Sequence, residues 1–240
     1  MDSEVGNYQF LNWVSGVRLS PAPLYSAGDR GRLKAAAAAR GFVKLKIVQM
    51  GEPVLRQTAR ALTAKEIVSE ETQRLILDMR ETMHDAPGVG LAAPQVGLPI
   101  QLAVIEDREE FLKDASPDIL AERERKPVPF HVIVNPRILH APDPTVTFFE
   151  GCLSLPGFTA LVPRTRTVRI ECMDERGQKK IIEASGWYAR ILQHEIDHLA
   201  GCLYVDRMRS RTFGTMDNFN RHWKGKTIDE VRSALEFMPV

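Results

Sequence analysis

Residues 193–198 read Gln-His-Glu-Ile-Asp-His, and the rest of the chain is best read outward from them. His194 and His198 lie four apart, so on a helix they share one face, one turn from each other. Two imidazoles placed that way can hold one metal ion. Glu195 projects about 100° around the axis, within reach of a water on that ion. The flanking residues predict a helix over 186–200, with Ser185 as a candidate N-cap and Gly201 as a candidate C′ residue. The plain alternative is a helix with unrelated histidines, although the chain has only six. A catalytic site needs three protein ligands and an open position. His222 is the only histidine after His198, too far downstream for the short spacing of the metzincins. Glu230 and Glu236 stay open as downstream ligands.

A stronger candidate lies upstream. Residues 150–157 read Glu-Gly-Cys-Leu-Ser-Leu-Pro-Gly. Gly151 lets the backbone beside Cys152 approach a ligand or another strand. A Cys152 thiolate is a strong ligand for zinc or ferrous iron; a buried cysteine in a tight turn is the alternative. A third stretch, 88–97, reads Gly-Val-Gly-Leu-Ala-Ala-Pro-Gln-Val-Gly. It lacks the lysine and spacing of a phosphate loop and follows a helix instead of opening one. Its small residues suit close backbone approach. Gln95, its one polar side chain, is either a core hydrogen-bonder or a donor to an oxyanion.

Composition narrows the classes. The 240 residues carry 32 Lys+Arg and 31 Asp+Glu, a net charge of +1. That balance argues against nucleic-acid binding through bulk electrostatics. No run of about 18 apolar residues exists, so no membrane span is expected. Cys152, Cys172 and Cys202 are too few, and odd in number, for a disulfide framework.

The chain divides unevenly. Residues 1–44 are acid-poor, with Asp29 the only acid between residues 5 and 46, and they hold the alanine run Ala35–Ala39. This composition reads as an N-terminal extension and a candidate organellar transit segment. Further on, 45–49 predicts a short strand, Ser69 caps a helix stopped by Pro87 and Gly88, and 100–105 predicts a strand. Residues 106–129 read as a charged, solvated insertion. Strands are expected at 131–134, 145–149 and 168–172, with 179–183 as a hairpin partner. Residues 213–240 read as a polar C-terminal tail with one helix near 227–237.

Taken together, Gly88–Gln95, Glu150–Ser154 and Gln193–His198 resemble, in order and without gaps, the three motifs of the peptide deformylases. The resemblance covers roughly residues 45–212. It implies an α+β fold, with antiparallel β-sheets packed around a central helix carrying the His-Glu-x-x-His motif. It implies a hydrolase that removes the N-formyl group from the N-terminal methionine of new polypeptides. It makes Cys152, His194 and His198 the ligands of one divalent metal ion, Fe2+ or Zn2+. Glu195 becomes the general acid/base, and Gln95 with the Leu153 N–H becomes the holder of the formyl oxygen.

Several finer expectations accompany this reading. Gly88, Val89, Gly90, Gly151 and Ile191 are candidates for binding the substrate's methionine and backbone. Glu150 and Arg164 are expected to pair and orient the cysteine loop. Thr159 stands where the family often has an arginine. The 106–129 insertion and the Ala184–Trp187 run are similar to the eukaryotic organellar branch, hence mitochondrion or plastid. The expected partners are N-formylmethionyl nascent peptides, with the ribosome exit region and a homodimer as further candidates. No membrane and no direct nucleic-acid binding are expected. Two rivals remain: a general metalloendopeptidase with another third ligand, and a non-enzymatic binder of nascent chains.

Overall fold

The computed structural model describes residues 43–113, 115–141 and 145–235. The candidate transit segment, up to residue 42, and the end of the C-terminal tail lie outside the described residues. Thr63 and Glu66 close a reciprocal capping box on a short helix, α1 (Ala64–Ile67). The Ser69 hydroxyl accepts the Thr72 N–H and caps α2 (Glu70–Asp85). Glu70 and Glu71 sit in its first turn, where the helix dipole favours acids.

Eight strands follow among the described residues: β1 (Gly90–Ala92), β2 (Leu102–Asp107), β3 (Val128–His140), β4 (Thr145–Cys152), β5 (Leu155–Thr165), β6 (Thr167–Met173), β7 (Lys179–Ser185) and β8 (Gly214–Thr215). A short helix, α3 (Pro117–Glu122), lies between β2 and β3, and α4 (Gly186–Leu199) follows β7. Two more helices, α5 (Met216–His222) and α6 (Ile228–Leu235), come after β8. One antiparallel sheet runs β1-β2-β3-β6-β7, and a second runs β4-β5-β8.

The first sheet lies between two helices, and β2 shows why. Ala103 and Ile105 face a cluster with Ala189, Leu192 and Leu199 of α4. Leu102 and Val104 face the other way, onto Met79 and Met83 of α2. A strand buried on both faces reads as a continuous apolar run, as Leu102–Ile105 does. Helix α4 is thus held in the core while keeping its histidine face toward the second sheet. The fold is α+β, with antiparallel sheets around the helix that carries His194 and His198. No helix among the described residues is long and apolar enough to cross a membrane.

Several local expectations are corrected. Residues 45–49 form no strand; their polar groups bond to turns and side chains instead of a ladder. Strand β5 is longer than anything the sequence suggests there, because Pro156, Gly157 and Pro163 read as loop punctuation. Pro163 is tolerated because it pairs only with Thr147 of β4, beyond the reach of β8. The C-terminal segment is not simply polar. Phe219, Trp223, Ile228 and Val231 pack on Phe149 and Leu161.

The 106–129 segment is also less solvated than expected. Asp107 is 1% exposed and accepts a two-pronged bond from Arg125, both at 2.8 Å. The turn after α3 meets the start of α4, where the Trp187 N–H donates to the Arg123 carbonyl. Gly186 has φ 58°, and a Cβ there would lie 2.7 Å from the Arg123 oxygen and 2.4 Å from Glu124 Cβ. Glycine is required by both the backbone and the space. Gly186→Ala is expected to destabilise the protein by roughly 1–3 kcal/mol. Urea unfolding measures this; a midpoint equal to that of the parent protein would show that the junction is not tight.

Candidate metal centre and cleft

The site is built where α4 meets the end of β4. The β4–β5 register shifts between Glu150 and Cys152, turning the strand end at the cysteine. Cys152 Sγ comes 3.3 Å from His198 Nε2. The His194 and His198 rings are 5.1 Å apart. One ligand atom from each of Cys152, His194 and His198 lies within 4.8 Å of the others. A thiolate and two imidazoles are donors that zinc and ferrous iron both accept. His194 Nδ1 is occupied by a 2.9 Å bond to Glu150 Oε2, which leaves Nε2 for a metal. Glu195 Oε2 is buried without a hydrogen-bond partner, and Glu195 lines the same cleft as His194 and Cys152. The residues therefore fit a divalent ion.

Glu195 is 3% exposed. Burial pushes its carboxyl up to about 7, against the opposing pull of His194 and Arg164. Its place depends on Gly90. A Cβ at residue 90 would lie 2.2 Å from Glu195 Oε1 and 2.6 Å from Cδ.

Gln95 faces the same space from the short 3₁₀ turn Ala93–Val96. Its Oε1 accepts the Ala92 N–H at 2.9 Å. That bond sets the amide so that Nε2 points inward, 3.3 Å from Ser154 Oγ and 3.5 Å from Cys152 Sγ. Leu153 follows the cysteine and packs against Gly88, where a Cβ would meet Leu153 Cδ1 at 2.8 Å.

Beneath the ligands lies a buried charge network. Arg164 grips Glu150 with two bonds of 2.9 Å, and Arg190 Nη1 adds a third at 2.6 Å. Arg164 also reaches Asp197, which Arg207 grips from outside. Burial opposes ionisation of Glu150, yet Arg164 and the His194 bond hold its pKa far below the usual carboxylate range. Burial pulls Arg190 down to about 10, against the attraction of Glu150.

A cleft of about 600 Å³ opens over these groups, lined among others by Gly88, Val89, Gly90, Gly151 and Ile191. Gln95, Cys152, Leu153, His194 and Glu195 also face it. Its size is that of a small-molecule or peptide site. Sequence reasoning missed Arg190, although it precedes His194 by four residues on the same helical face. It also missed Ser154, the partner of Gln95, and the rim residues Trp187, Phe158 and Met216. Phe158 and Met216 carry no motif, and Trp187 ends the Ala184–Trp187 run without any sign there of facing the cleft.

Comparison with known proteins places this geometry. Residues 44–213 match the family model described as polypeptide deformylase. Peptide deformylase 1A, chloroplastic, from Solanum lycopersicum is 45% identical over 174 residues, covering 72% of this chain and 63% of that protein. The chain thus spans slightly less than two thirds of that curated relative's length. Peptide deformylase, mitochondrial, from Homo sapiens is 42% identical over 167 residues, covering 70% of this chain and 69% of that protein. A Met-Ala-Ser-bound class I type b peptide deformylase from Acinetobacter baumannii superposes with a TM-score of 0.63 at 32% identity, covering 70% of this chain and all of that one.

Glu150→Ala leaves Arg190 without a carboxylate and Arg164 with Asp197 alone. It is expected to cost about 3–5 kcal/mol in unfolding free energy. The same change should weaken divalent-ion affinity about 10- to 100-fold by releasing the His194 ring. Denaturant unfolding and metal titration report the two effects separately. Parent-like values in both would remove Glu150 from the centre of the site.

Proposed function

The chain belongs to the polypeptide deformylase family, and on that premise we propose that it removes the N-formyl group from N-formylmethionyl peptides. The observation that carries this is the meeting of Cys152, His194 and His198 within 4.8 Å, beneath a cleft that also presents Glu195 and Gln95. In the proposed reaction water adds to the formyl carbon, the carbon–nitrogen bond breaks, and formate and a free amino terminus leave. Residues 45–212 would form the catalytic domain, flanked by the N-terminal extension and the C-terminal segment.

Cys152, His194 and His198 would hold one divalent ion, Fe2+ or Zn2+. Such an ion, when bound, supplies Lewis acidity that acidifies water and polarises a carbonyl. Glu195 takes the proton from the attacking water and returns it to the departing nitrogen. Its buried position suits that task, because a carboxyl lifted to about 7 can both accept and release a proton near neutrality. Gln95 Nε2 and the Leu153 N–H hold the oxygen that becomes negative as the carbon turns tetrahedral. The bond from Ala92 N–H prevents Gln95 from presenting its oxygen instead.

Recognition follows from the sheet edges. β1 is an edge strand of the first sheet and β4 an edge strand of the second. An extended peptide can lie between them, bonding to backbone near Gly88–Gly90 and Gly151. Its methionine side chain would enter past Val89 and Ile191. Backbone pairing tolerates many downstream sequences, as a step acting on many new chains requires. The acid-poor leader, together with the chloroplastic and mitochondrial names of two relatives, supports an organellar address.

Glu195→Gln is expected to keep the bound metal and lose about 10²–10⁴-fold in formate release. Cys152→Ala is expected to lose the metal as well, whereas a metalloendopeptidase with a carboxylate ligand would retain it. Metal analysis beside a formate assay decides both; a fully active Glu195→Gln protein would contradict the assignment. Gly90→Ala is expected to fold and yet turn over at least tenfold more slowly, since the methyl displaces Glu195. Normal turnover in that variant would show that Glu195 has room to spare.

A further inference from the structure

The segment just before the 3₁₀ turn Pro53–Arg56 bonds to both halves of the site. The Val48 N–H donates to the Gln95 carbonyl at 2.8 Å, and the Met50 N–H donates to the Ser154 carbonyl at 2.7 Å. Between them Gln49 Nε2 reaches the Leu153 carbonyl at 3.3 Å and the Ile47 carbonyl at 3.2 Å. Three successive residues therefore bond to the turn carrying Gln95 and to the turn carrying Leu153. These turns belong to two different sheets, which share no ladder among the described residues. Gln95 Nε2 also links them directly, at 3.3 Å to Ser154 Oγ and 3.5 Å to Cys152 Sγ.

We propose that Val48–Met50 is a positioning strap that sets the separation of the Gln95 amide and the Leu153 N–H. This rests on the reading of those two groups as the holders of the oxyanion. Val48 and Met50 donate to carbonyls of the two different turns, so the short stretch of chain between them limits how far those turns can move apart. The strap is itself anchored. The Val43 N–H donates to Asp78 Oδ1 at 3.0 Å and the Leu45 N–H to Thr82 Oγ1 at 2.9 Å, both on α2. Leu45 and Ile47 pack against the α2 side of the core. A tetrahedral oxyanion needs two donors at a fixed mutual distance, and a shift of a fraction of an ångström weakens both. Removal of any leader must therefore stop upstream of Val43 to keep the strap.

The test compares three variants of the full chain, loaded with metal, on formyl-Met-Ala-Ser. Gln49→Met keeps the exposed side chain's size but deletes its donor, and is expected to lower kcat about three- to tenfold with KM within twofold. Val48→Pro deletes a backbone donor and is expected to lower kcat about ten- to hundredfold, below the loss from removing an oxyanion donor outright. Gln95→Ala in the same assay supplies that reference. A purely structural role would instead shift thermal stability and leave kcat per metal ion unchanged. Should Val48→Pro fail to fold, Gln49→Met still decides. If Gln95→Ala is slow while both strap variants turn over normally, the strap is wrong and the oxyanion reading stands. If Gln95→Ala is itself fully active, the oxyanion reading falls and the strap with it.

Discussion

The Glu150 carboxylate sits where β4, β5 and α4 meet, 6% exposed, and accepts bonds from Arg164, Arg190 and His194. Ionising a carboxyl there is costly, and the Arg164 guanidinium and the His194 bond offset that cost. Each guanidinium comes from a different element: Arg164 from β5 and Arg190 from α4. The bond to His194 then transmits the arrangement to a ring that stands beside Cys152 and His198. One buried charge thereby fixes the end of the strand that holds Cys152 against the helix that holds both histidines. Arg164 extends the grip to Asp197, next to His198 on the same helix.

Close approach is the second constraint. At Gly90 the first sheet comes so near Glu195 that no side chain fits, and at Gly88 the same chain segment leaves no room beside Leu153. Glycines here bring two sheets and a helix together over one cleft. Edge strands β1 and β4 then border it with backbone groups free of ladder partners on one side, which suits a peptide ligand. The buried, partnerless oxygen of Glu195 and the inward amide of Gln95 sit under that opening.

Much of this was legible from residue spacing. The four-residue interval between His194 and His198 implies a shared face, and α4 spans Gly186–Leu199. The helix after Ser69 and the strands around Val132, Val168 and Ile181 follow from simple periodicity. Strand β5 was not legible, since proline and glycine within it mimic a loop. Residues 45–49 read as a strand because they are apolar and partly alternating, but the Leu45 N–H bonds to Thr82 of α2 and the Val48 N–H to the turn carrying Gln95. The charged run 106–129 hid its role because buried ion pairs such as Asp107–Arg125 look like surface charge in one dimension. Arg190 is not legible as a site residue because a lone arginine in a helix has no motif, although its four-residue spacing from His194 puts the two on one face.

The proposed function requires that this centre cleave a formyl amide and leave peptide bonds intact. The most direct measurement is anaerobic incubation of the metal-loaded full chain with formyl-Met-Ala-Ser, scoring formate, free Met-Ala-Ser and metal content in one sample. Equal amounts of formate and intact Met-Ala-Ser are expected, with activity proportional to one divalent ion per chain. Internal cleavage of the peptide, or no formate from fully metal-loaded protein, would contradict it.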